Sequence, residues 1–387
     1  MVGRGKILTI YMDNAATSYP KPESVYLAVD RFNRLMGGNP GRGSNQSTAR
    51  AGSVLLETRE ALAHLFNIDD CMQIAFTLNI TEAINTCLKG ILKPGDHVIT
   101  TSMEHNSVAR PLYTLTRQGV EWTTVPCGND GTLDPDAVKN EIKPNTRMIC
   151  MLHASNLVGT IMPIGEVGRI AHEHGLLFMV DSAQSAGVLP IDVKLQNIDI
   201  LTFTGHKGLL GPQGTGGMYI RPGLEVIPLK EGGTGALSEY LEQPPIMPER
   251  MESGTLNTPG IAGLLAGIRF ITETGIERIR QHEMRLTAQL IQGLQGIDGV
   301  KLYGPADINR RTAVIALNIE DKDCGEVCSQ LDYEYDIITR SGLHCAPLAH
   351  RTLGTFELGS CRLSPGYFTT PEEIDQVIRA VYAISKK

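Results

Sequence analysis

From about residue 73 to 220, short apolar runs alternate with amphipathic stretches and polar turns. Segments 73–77, 97–101, 147–152, 176–180 and 198–203 read as buried strands, four to eight residues of mostly apolar character. Between them, 81–89 and 164–174 carry a helical period, the second closed by Gly175 as its C-cap. Strand, loop and helix in repetition predict a mostly parallel sheet covered by helices on both faces. The proline-rich segment 243–248 reads as a loop. A long helical pattern begins near Pro259, with Ile261, Leu264, Leu265, Ile268 and Ile271 on one side, and links to a second region. That region shows a strand at 313–319, a helix at 325–331 and a final helix at 371–384. No internal repeat is evident.

The 387 residues suffice for one large domain and a smaller one. A formal charge of -7 with no basic tract argues against nucleic-acid and membrane-surface roles. The apolar run from Ile7 to Met12 is too short for a signal-peptide core, and no run of eighteen apolar residues occurs. A cytoplasmic protein is expected. None of the eight cysteines forms a C-x-x-C pair. Cys324 and Cys328 stand four apart on a predicted helix without a second ligand pair, so no metal is expected.

In open parallel sheets ligands bind beyond the carboxyl ends of the strands. After 198–203 comes Thr204-Gly205-His206-Lys207, followed by glycine-rich sequence. A lysine there suits a Schiff-base amine for an aldehyde cofactor such as pyridoxal phosphate (PLP). After 176–180 comes Asp181, equally a helix N-cap or the partner of a protonated pyridine nitrogen. Paired with Lys207, the second reading is the better one. After 147–152 stands Asn156, a turn residue or a donor to a phenolate oxygen. After 97–101 stands His105, a half-buried ring or one stacked on the pyridine and moving protons. After 73–77, Asn79-Ile80-Thr81 opens a helix whose free N–H groups suit a phosphate.

Further on, Arg340-Ser341-Gly342-Leu343-His344-Cys345-Ala346-Pro347 reads as an exposed thiol loop. His344 is the adjacent residue, and a nearby cation lowers a thiol's pKa. Arg340 and Arg362 are candidates to grip a carboxylate.

Together these motifs resemble the class V branch of fold-type-I PLP enzymes, and within it the cysteine desulfurases and selenocysteine lyases of group II. The resemblance rests on Tyr11-Met12-Asp13-Asn14-Ala15-Ala16-Thr17-Ser18, on Thr204-Gly205-His206-Lys207 and on the cysteine loop. It implies an α/β fold: a mostly parallel sheet in a large domain (15–262), a smaller α+β C-terminal domain (263–387) and an N-terminal arm (1–14). Lys207 would carry PLP and move the Cα proton. Asp181 would pair with the pyridine nitrogen, Asn156 and Gln184 would contact the phenolate oxygen, and His105 would stack on the ring. Thr81 and His206 would hold the cofactor's phosphate, with Thr255 crossing from the partner of a homodimer, and Thr204 would also be among the cofactor-binding residues. Arg362 would bind the substrate carboxylate, aided by Arg340 and Asn14. Cys345 would take sulfur from L-cysteine and pass it to an acceptor protein or a reductant. Other readings are a selenocysteine lyase, an aminotransferase or kynureninase-like lyase, and a non-enzymatic sulfur-relay module. Two departures stand out: Asn79-Ile80-Thr81 replaces the family's frequent Gly-Thr-Thr, and Leu343 replaces a histidine.

Overall fold

The computed structural model describes residues 9–40 and 45–387; part of the expected arm, residues 1–8, lies outside them. In chain order the strands are β1 (Ile10–Tyr11), β2 (Ile74–Thr77), β3 (His97–Thr101), β4 (Glu121–Val125), β5 (Thr146–Leu152), β6 (Leu177–Asp181), β7 (Ile200–Thr204), β8 (Gly216–Ile220), β9 (Val300–Tyr303), β10 (Ile315–Ile319), β11 (Ile337–Ile338), β12 (Arg340–Gly342) and β13 (Ser360–Leu363).

Seven of them form one sheet in the order β2-β8-β7-β6-β5-β3-β4. All run parallel except β8, which is antiparallel to both neighbours. The sequence pattern does not predict β8, because Gly216-Gly217 reads as a turn. Glycine is needed there: a Cβ on Gly216 would lie 2.7 Å from the Asn79 backbone. β4 was also not foreseen, its Glu121-Trp122-Thr123-Thr124-Val125 being largely polar.

Alternate residues of the central strands enter different cores. Ile99, Ile149, Met151, Phe178 and Val180 pack with Leu62, Phe66 and Ile268 on one face. Val98, Met148, Cys150 and Met179 pack with Ile84, Leu88 and Leu112 on the other. Helices therefore cover both faces, which is why these strands read as continuous apolar runs. The helix expected from near Pro259 spans Thr258–Thr274, with Asn257 capping it through Gly260 N.

A second sheet, β12-β13-β10-β9, is antiparallel. Its core joins Leu317, Leu331 and Leu363 to Leu290, Val377 and Val381 of helices Ile276–Gln295 and Pro371–Ser385. Ile10 and Met12 are buried in the same core, and β1 pairs with β11. Among the described residues no helix is long and apolar enough to cross a membrane.

Candidate active site

The parallel strands all end at one edge of the large sheet. Thr77 of β2 and Thr204 of β7 both face Gly216 there. Lys207 lies three residues beyond β7, in a turn closed by Leu210 N to Lys207 O (2.8 Å) and Gly211 N to Gly205 O (2.7 Å). A Cβ on Gly205 would meet Thr215 Oγ1 at 2.1 Å, so the tight turn requires glycine. Burial drives the Lys207 amine down to about 8, with Arg362 and Arg340 adding to the shift and Asp181 opposing it.

Asp181 closes β6 and is 4 % exposed. Its Oδ1 accepts Ala183 N at 2.8 Å. Burial raises its carboxyl, while the Ala183 N–H and Lys207 pull it back down.

His105 caps helix Asn106–Thr116, its Nδ1 accepting Ser107 N at 3.0 Å. Burial first, then Lys207 and three arginines, push its ring down to about 4, so it is neutral at pH 7. Ser107 Oγ lies 2.8 Å from both His105 Nδ1 and Thr81 Oγ1. Thr81 stands in the first turn of helix Ile80–Ile91, capped by Asn79 through Glu82 N. Sequence reading missed Ser107, yet it returns a hydroxyl to the helix start where Ile80 removed one. Its position at the N-terminus of the next helix was the available signal.

His206 is pushed down to about 4 by burial, and its Nδ1 is buried without a partner among the described residues. Thr204 donates to Thr215 O at 3.5 Å, so its hydroxyl faces the backbone just before β8 rather than open space. Gln184 Nε2 donates to Ala15 O at 2.9 Å, tying the site to the N-terminal segment. Thr255 is exposed and lines a different cavity with Asn39, Arg59 and Glu252. Within one chain it is not brought to Lys207.

The cysteine loop is tied to the ends of β5 and β3 through Asn156 and Asn106. Cys345 is exposed, and it and His344 both have positive φ, +56° and +49°. Two successive non-glycine residues in this region are costly and need external support. Asn156 Nδ2 donates to His344 O (2.7 Å) and Asn106 N to Cys345 O (2.8 Å). Arg340 Nη2 stands 3.7 Å from Cys345 Sγ. The cation beside the sulfur is thus Arg340, not His344. The His344 ring is buried, pushed down to about 3, and turned inward to Arg340 O and to His350. His350 in turn meets Thr355 Oγ1 at 2.8 Å, a support the sequence did not reveal. Leu343, where a histidine was expected, is partly exposed.

Arg362 is 1 % exposed. Its Nη2 pairs with Asp13 Oδ1 (2.6 Å) and its Nη1 donates to Asn156 O (2.8 Å), while Nε is buried without a partner among the described residues. Asp13, 349 residues away in sequence, was not singled out from the sequence. Asn14 spends its amide on Ser364 O and Tyr19 N.

These residues fit PLP. A buried amine near its neutral form, a buried carboxylate, a neutral ring and a hydroxyl-bearing helix start are the groups its aldehyde, ring nitrogen, ring face and phosphate require. The orphaned Asn156 Oδ1 and His206 Nδ1 mark polar positions that a ligand would complete. Among the described residues no cluster of three or more potential metal ligands occurs.

A probable cysteine desulfurase of Methanothermobacter thermautotrophicus is 36% identical over 372 residues, 94% of this chain and 92% of that protein. A cysteine desulfurase of Klebsiella pneumoniae is 33% identical, covering 97% of this chain and 93% of that protein. The apo structure of a cysteine desulfurase from Thermococcus onnurineus superposes with a TM-score of 0.92 at 32% identity, over 98% of this chain and 95% of that one. Residues 10–377 match the aminotransferase class-V model, and the chain belongs to that PLP-dependent family.

Proposed function

We propose that the protein is a PLP-dependent cysteine desulfurase, converting L-cysteine to L-alanine and leaving a persulfide on Cys345. The observation that carries this reading is Asn156, whose side chain holds the Cys345 loop and whose carbonyl holds Arg362. One residue thereby ties a sulfur nucleophile to a carboxylate-binding guanidinium.

When bound, PLP supplies an aldehyde for the substrate amine and a ring that takes up the electron pair left at Cα. Lys207 Nζ takes the Cα proton, a task suited to an amine held near 8. Asp181 holds the proton of the ring nitrogen. Arg362, with its unpartnered Nε–H, and Arg340 receive the carboxylate. Cys345 Sγ, its proton released, then attacks the substrate sulfur: an S–S bond forms, the substrate C–S bond breaks, Cβ gains a proton, and Lys207 returns a proton to Cα. Cysteine and one thiol thus become alanine and one persulfide.

In this reading residues 15–262 hold the cofactor and 263–387 bring Arg362 and the cysteine loop. We further infer a cytoplasmic homodimer in which Thr255 serves the other subunit's phosphate site, and an acceptor protein that collects sulfur from the exposed Cys345. The test is to incubate PLP-loaded protein with L-cysteine and dithiothreitol. Alanine and sulfide are expected in equal amounts; neither product, or alanine without sulfide, overturns the reading.

A further inference from the structure

The Cys324/Cys328 spacing finds its explanation in the C-terminal core. Both thiols lie on helix Cys324–Tyr335 but face different partners. Cys324 Sγ points to Leu358 O at 3.2 Å. Cys328 Sγ lies 3.0 Å from Cys361 Sγ, about 1 Å beyond a covalent S–S length. Cys361 sits on β13 opposite Leu317 and Ser341, and is the residue before Arg362.

We propose that Cys328 and Cys361 form a reversible, peroxide-responsive disulfide that displaces Arg362. Neither thiol is used by the desulfurase reaction, and they join two elements of the C-terminal core that are otherwise only packed together. Cys328 is 9 % exposed and Cys361 fully covered, so oxidation starts at Cys328. At 3.0 Å the two sulfurs are within hydrogen-bond reach; that contact holds Cys328 below the ordinary thiol range and, with burial, pushes Cys361 well above it. Cys328 sulfur attacks one oxygen of hydrogen peroxide: an S–O bond forms, the O–O bond breaks, and the leaving hydroxyl takes the thiol proton as water, giving a sulfenic acid. Cys361 sulfur attacks that sulfenic sulfur and a second water leaves. In sum, two thiols and one peroxide give one disulfide and two waters, with two electrons passing from sulfur to peroxide.

Closing the S–S distance draws β13 toward the helix. Arg362 follows Cys361 directly, and its guanidinium is fixed by Asp13 and the Asn156 carbonyl. A shift approaching 1 Å misaligns the group that would receive the substrate carboxylate. This consequence rests on the role proposed for Arg362; disulfide formation itself does not.

The experiment treats PLP-loaded wild-type protein with hydrogen peroxide, alkylates free thiols after denaturation, and digests without reduction. A peptide pair linking Cys328 to Cys361, lighter by two hydrogens and released by dithiothreitol, is expected. Full alkylation of both residues while Cys345 is oxidised overturns the proposal. Alanine binding is then titrated through cofactor absorbance in the Cys345→Ser protein; alanine carries the same amine and carboxylate but no thiol to reduce the disulfide, and the substitution removes oxidation of Cys345 from the readout. A roughly tenfold weaker Kd after peroxide, reversed by dithiothreitol and absent in the Cys328→Ala/Cys345→Ser protein, is expected. A linked pair with unchanged Kd overturns the coupling to Arg362.

Discussion

The lysine pocket and the cysteine loop are built on opposite principles. Around Lys207 the groups are buried and their charges suppressed: the lysine falls to about 8 and His105 to about 4. Around Cys345 the thiol is exposed, and the loop's shape is imposed by hydrogen bonds from elsewhere in the chain. Desolvation tunes the first region; backbone restraint tunes the second. Proton chemistry needs a group poised near neutrality, whereas sulfur transfer needs one that can meet two partners in turn.

The largest expected effect comes from removing the poised amine. Lys207→Ala should lower alanine formation by about 10⁴-fold and abolish borohydride fixation of PLP, read as loss of the labelled peptide. The wild type offers a finer test. Only a neutral amine bonds an aldehyde, so capture of added PLP by cofactor-free protein should quicken as pH rises toward about 8 and level off above it. A rise centred near the ordinary lysine value of 10.5 would show that the pocket does not suppress the charge.

Next is the exposed thiol. Cys345→Ser should cut sulfide release by at least about 10³-fold yet leave exchange of the substrate Cα proton with deuterated water in place. Loss of both activities together would mean that the two regions are not separable.

The placement of Asp181 and Lys207 at strand ends was legible because one directly follows an apolar run and the other stands a short turn beyond one. The parallel sheet was legible for the same reason. What remained hidden depends on contacts between distant segments. Nothing local in Tyr11-Met12-Asp13 announces a buried guanidinium 349 residues away. Ser107 looks like an ordinary helix start until helices Ile80–Ile91 and Asn106–Thr116 pack together and bring it beside Thr81. His344 resembles a cation for the thiol until its burial and its contacts with Arg340 O and His350 are known. β8 was missed because its glycines follow tertiary crowding rather than turn formation.

Arg362 joins the two regions, so its replacement should affect binding more than chemistry. Arg362→Lys loses the planar fork toward a carboxylate and weakens the hold on Asp13. A loss of about 2 kcal/mol, or roughly 30-fold in the KM for cysteine, is expected with a much smaller change in kcat. A fall in kcat at unchanged KM would place Arg362 in the chemical step.

The last expected effect falls on stability rather than activity and lies beneath His105, where burial of Glu104 extends the rule of the lysine pocket to a carboxyl group. Glu104 is fully covered; Thr101 Oγ1 and Leu152 N both donate to its Oε1, and Oε2 has no partner. Burial raises the carboxyl from 4.5 to about 8. Below about pH 4.5 the group is protonated in both folded and unfolded chains and contributes no slope. Between 4.5 and 8 the unfolded chain releases the proton while the folded one keeps it, so stability falls by about 1.4 kcal/mol per pH unit. Glu283, likewise raised to about 8 by burial, adds a slope of the same sign. Glu104→Gln preserves the shape and the neutral state. Its urea-unfolding free energy, followed from pH 5 to 7, should therefore fall less steeply than that of the wild type by about one proton's worth. Parallel slopes in the two proteins would mean that Glu104 is ionised in the fold, and that the suppression of charge seen at Lys207 and His105 stops short of the strand end beneath them.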